Sequence, residues 1–77
     1  MNVAITTPVT TVAEFYRALS SQLELGGRGI PNADALADIL REKRVARVTV
    51  TGWGISLSDA LLVLKVFRDL GVTLRFS

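Results

Sequence analysis

Three short β-rich runs in this chain are separated by helical segments and never by tight turns. They are Asn2 to Thr6, Arg47 to Thr51 and Val72 to Phe76. Strands joined through helical crossovers must lie parallel, and such crossovers are right-handed in nearly all cases. The order β-α-α-β-α-β therefore predicts an α/β domain built on a three-stranded parallel sheet. Parallel sheets generally carry helices on both faces, so a three-layer α/β/α arrangement is expected. With 77 residues there is room for one domain, spanning 1–77.

Local signals place the elements between these runs. Pro8 closes the first strand, because proline cannot donate to a ladder. Thr11 and Glu14 have capping-box spacing and mark a helix start. Val12, Phe15, Tyr16, Leu19 and Leu23 then form one apolar stripe. Gly26 and Gly27 are expected to end that helix. Gly26 to Pro31 is read as a flexible loop that leaves the next helix freely presented. Asn32 is a good N-cap, and Pro31 before it blocks helical extension upstream. The second helix is predicted from Ala33 to Lys43, with Leu36, Ile39, Leu40 and Lys43 on one side. Asp34 and Asp38, four residues apart, share another face, with Arg41 and Glu42 one turn further on. Ser56 and Asp59 repeat the cap spacing. A third helix follows to Leu70, given a wide apolar side by Leu61, Leu62, Leu64, Val66 and Phe67, and Gly71 stops it.

Composition narrows the chemistry. The chain has no cysteine and no histidine. Disulfides, thiolate metal sites, cysteine nucleophiles and the commonest general base are thereby removed. An enzyme is not expected, nor is any cofactor or metal. No apolar run approaches the roughly 20 residues of a membrane span, and no basic segment followed by an apolar stretch opens the chain. A cytoplasmic location away from membranes is expected. The net charge of +2 permits an anionic partner without requiring one.

Three features can carry function. The first is the Asp34–Asp38 face, which suits protein recognition, although two carboxylates on a helix are often no more than a solvated face. The second is Gly52-Trp53-Gly54, lying between a strand and a helix where α/β proteins cradle phosphates. The rest of a phosphate fingerprint is missing, since position 57 is Leu. A regulatory or small-molecule site over Gly52 to Ser56 stays open as an alternative. The third is the basic segment 41–47, where Arg41, Lys43, Arg44 and Arg47 oppose Glu42 alone. It offers a nucleic-acid reading, but no aromatic is interleaved with it.

The second helix carries a more specific pattern. Asn32-Ala33-Asp34-Ala35-Leu36-Ala37-Asp38-Ile39-Leu40 resembles the N-L-D-A-L-x-D-x-L signature of the barstar family, small cytoplasmic bacterial ribonuclease inhibitors. Phe15 to Leu25 is similar to the family's first helix, and Val63 to Ser77 to its end. The resemblance implies a barstar-like fold and a protein partner: a ribonuclease, or a related nuclease or toxin. In that family the second helix and the loop before it enter the ribonuclease active site, their carboxylates replacing RNA phosphates. Carried over, Asp38 is the principal anionic contact and Asp34 a supporting one. Asn32 caps the helix, and Leu36 and Leu40 hold it against the sheet. Ala37 stands where the family often has an aromatic residue, and Arg28 stands in a loop that often carries tyrosines. These departures imply a retained fold with a changed target. The expected partner-binding set is Arg28, Asn32, Asp34, Ala37, Asp38, Arg41 and Glu42, on a monomer or weak dimer.

Overall fold

The computed structural model describes residues 1–77. Strand β1 is Asn2–Ile5, helix α1 Val12–Leu23, helix α2 Ala33–Glu42, strand β2 Arg47–Val50, helix α3 Leu57–Leu70 and strand β3 Thr73–Phe76. Both strand pairings are parallel and the sheet order is β1-β2-β3. The α/β class, the parallel sheet and the order β-α-α-β-α-β are as the sequence predicts. No helix is long and apolar enough to cross a membrane.

The layering differs from expectation. Exposure alternates along β1 and β2, with Val3, Ile5, Val48 and Val50 buried while Asn2, Ala4 and Arg47 are exposed. Helix α3 packs on α2, on α1 and on β3, so all three helices share one side of the sheet. The fold has two layers rather than three. Strand order supplies the reason. Crossovers of one hand that step twice in the same direction place both connections on the same face. A doubly covered sheet needs the order to reverse, and β1-β2-β3 does not reverse.

Eighteen apolar residues fill the single core, and no polar side chain is buried in it. Its centre is Phe15, which meets Trp53 edge-on at 5.7 Å between ring centroids and Phe67 at 6.2 Å. The wide apolar side expected of α3 is only partly used. Ala60, Val63 and Phe67 are buried, whereas Leu57, Leu61 and Leu62 are exposed. Apolar residues spread over so wide an arc cannot all face one layer of sheet.

Caps set the helix ends. Thr11 accepts the Glu14 backbone N–H at 3.0 Å. The return bond of the capping box is displaced by one residue, because the Glu14 carboxylate accepts from the Thr10 N–H at 2.7 Å and the Thr10 hydroxyl at 2.6 Å. Those two bonds hold the Glu14 carboxyl below its usual pKa. Helix α1 does not end at the glycines. Glu24 adopts the left-handed conformation and caps the helix two residues before Gly26.

The turn after β2 is closed by backbone bonds. Val9 donates its N–H to the Gly52 carbonyl at 3.0 Å, and Gly54 donates to Val9 at 2.7 Å. Gly52 holds φ +88°, and a Cβ there would lie 3.3 Å from Pro8 Cα. Gly52→Ala is therefore expected to cost about 1–3 kcal/mol, as positive-φ strain does. Urea denaturation measures this. A change within experimental error would mean that the turn relaxes freely.

Candidate functional site

Helix α2 is short, and three things fix it. The Asn32 side chain accepts the Ala35 N–H at 2.9 Å, a cap typically worth ~1 kcal/mol. Leu36, Ile39 and Leu40 are buried beneath it. The loop before it is the third support. The sequence suggests that Gly26 to Pro31 is free, but the structure pins it. Leu25 and Ile30 are buried at its two ends. Between them Arg28 reaches Glu42 on the last turn of α2, with N–O 2.8 Å. That guanidinium, through its hydrogen bond first and its charge second, holds the Glu42 carboxyl below the usual range.

The outward side of α2 carries the expected residues on two neighbouring stripes. Asp34, Ala37 and Arg41 line a groove of about 310 Å³ between α2 and α3. Across that groove stand Leu62, Lys65 and Asp69, residues not anticipated as part of the surface. The signal was present in the sequence, since Leu62, Lys65 and Asp69 fall on the arc of α3 away from the buried Ala60, Val63 and Phe67. The second stripe is Asp38 with Glu42, on the side where Arg28 arrives. On the far side of Arg28 a wider trough of about 750 Å³ runs between the loop and α1, past Tyr16 and Ser20. Partial burial raises the Tyr16 hydroxyl pKa.

The face is less acidic than its aspartates suggest. Asp38 accepts from Arg41 at 2.8 Å, and both side chains are mostly exposed, 74% and 61%. Arg28 likewise balances Glu42. Exposed pairs of this kind add little to stability, because water screens the charges and ordering two long side chains costs entropy. A partner can therefore redirect either carboxylate at little cost. Asp34 has no ion-pair partner within 4 Å, so it is the one carboxylate of the set that is not already engaged. No three carboxylates gather to hold a metal ion.

The other two features fare differently. The backbone amides that would cradle a phosphate after β2 are already donated. Gly52 and Trp53 both donate to the Ser77 carbonyl, at 3.1 and 2.9 Å, and Gly54 to Val9. Trp53 itself stacks on Phe76 at 4.6 Å and belongs to the core margin. The basic segment 41–47 does not form one patch. Arg41 borders the α2–α3 groove, Lys43 is half-buried, Arg44 occupies a left-handed turn and Arg47 lies on the sheet.

Comparison with known proteins returns no matching family, no matching characterised relative and no matching solved structure.

Proposed function

We propose that this chain is a protein-binding inhibitor whose contact surface is the outward face of α2 and the groove it shares with α3. The observation that carries the reading is rigid presentation. A ten-residue helix is capped, seated on three buried side chains and tied to its leading loop, yet exposes Asp34 and Asp38. Pre-organised groups lose little freedom on binding, so such a helix is suited to docking. Leu62 adds an apolar anchor, 66% exposed, beside the small side chains of Ala33 and Ala37. An apolar centre bordered by charged groups is the usual make-up of a protein interface. The N-A-D-A-L-A-D-I-L pattern and its resemblance to barstars direct the choice of partner to a ribonuclease, or a related nuclease or toxin. In such an active site carboxylates can take the place of RNA phosphates against arginines. A cytoplasmic setting accompanies this reading.

The test is inhibition of RNA cleavage across a panel of small basic ribonucleases. Wild-type protein is expected to inhibit at least one. Asp38→Ala is expected to weaken inhibition at least about 30-fold, from the ~2–5 kcal/mol lost when one partner of a desolvated charge pair is truncated. Its circular dichroism should match wild type, since Asp38 is exposed. Inhibition equal to wild type in both Asp38→Ala and Asp34→Ala would remove α2 as the interface.

A further inference from the structure

The side of the sheet away from the helices is bare, and its charge is one-sided. Its residues form two rows in register. Asn2, Arg47 and Thr73 make one row, and Ala4, Thr49 and Arg75 the next. No helix covers them, and no carboxylate is among them. All seven acidic residues lie on the helices or, for Glu24, at the end of α1. Seven of the nine cations lie on the helices or in the loops beside them, and balance those acids. The two that remain are Arg47 and Arg75, so the chain's net charge of +2 resides on this one face. Neither arginine has an ion-pair partner.

We infer that this open face binds the phosphodiester backbone of single-stranded nucleic acid, independently of the helical surface. Arg75 lies one strand across and two residues along from Arg47. Strand spacing and rise place their Cα atoms about 8 Å apart on the diagonal. Two guanidiniums at that separation can hold neighbouring phosphates of one flexible strand. Asn2, Thr49 and Thr73 add amide and hydroxyl donors on the same face. Ala4 keeps the β1 edge of this face low. The face carries no aromatic for stacking, so bases go unread and binding is indifferent to sequence. It also carries no large apolar side chain to enter a lipid headgroup layer, which argues against an anionic membrane as the occupant.

The experiment titrates the full chain with oligothymidylate at low salt and follows backbone amide shifts by NMR. Shifts are expected at Asn2, Ala4, Arg47, Thr49, Thr73 and Arg75. With two phosphates engaged, log K should fall against log salt with a slope of about −1.4. Arg47→Gln with Arg75→Gln should abolish the shifts while leaving the melting temperature in place. Arg17→Gln with Arg68→Gln removes the same charge from the helical side and should retain affinity within about twofold of wild type. The inference is overturned by shifts confined to α2, by no shifts at low salt, by equal loss in the two double variants, or by tighter binding to phosphatidylserine vesicles than to the oligonucleotide.

Discussion

Phe15→Ala is expected to remove about 3–5 kcal/mol of stability. Phe15 is fully buried, and its ring touches Tyr16, Trp53 and Phe67, which belong to α1, the turn after β2 and α3. Removing it leaves a void at the meeting point of three elements that cannot all collapse inward together. A chain of 77 residues has about 4–12 kcal/mol in total to lose. The variant should therefore melt about 12–40 °C below wild type, at about 4–8 °C for each kcal/mol. Thermal denaturation followed by circular dichroism reads the difference. A loss below about 1 kcal/mol would mean that the aromatic cluster is not the centre of the core.

The same chemical deletion should give opposite results at two leucines. Leu36→Ala takes a fully buried side chain from under α2 and should cost about 2–5 kcal/mol. Leu62→Ala trims a side chain that is mostly exposed and should change stability by less than about 0.5 kcal/mol. Binding separates them further. Leu62→Ala keeps the fold and should weaken partner association, because it empties the apolar side of the α2–α3 groove. Leu36→Ala should affect binding only to the extent that α2 loosens. Both leucines are measured by urea denaturation and, once a partner is in hand, by titration calorimetry. Equal stability losses would contradict the burial described for α3. Unchanged binding in Leu62→Ala would restrict the interface to α2.

Local chemistry made the elements legible and left their arrangement less so. Thr11, Asn32 and Ser56 each cap a helix through their own side chains, within three residues of the bond they make. The exposure of Asp34 and Asp38 followed from spacing along one helix. Layering did not follow in the same way, because it depends on the spatial order of strands, and nothing local to β1 encodes that β2 lies between it and β3. The tie from Arg28 to Glu42 spans fourteen positions and belongs to tertiary structure alone. The glycines after α1 misled for a physical reason: Glu24 accepted the left-handed conformation first, so the helix was already closed when the chain reached Gly26. Leu62 stays outside the core because the apolar residues of α3 span a wider arc than one sheet can cover.

The bare side of the sheet also bears on how readily this protein can change. Along β1 and β2, every second residue contributes its backbone to the ladder and almost nothing to the core. Asn2, Ala4, Arg47 and Thr49 can be rewritten without opening a void, provided the new residues tolerate an extended backbone. That separates two kinds of position on the same strand: one set held to a fixed volume by the core, the other free of any packing constraint and so accessible to deliberate randomisation. A library built on those exposed positions together with Thr73 and Arg75 would sample new surfaces on an unaltered scaffold, with the α2 face kept intact on the opposite side as an internal reference for correct folding.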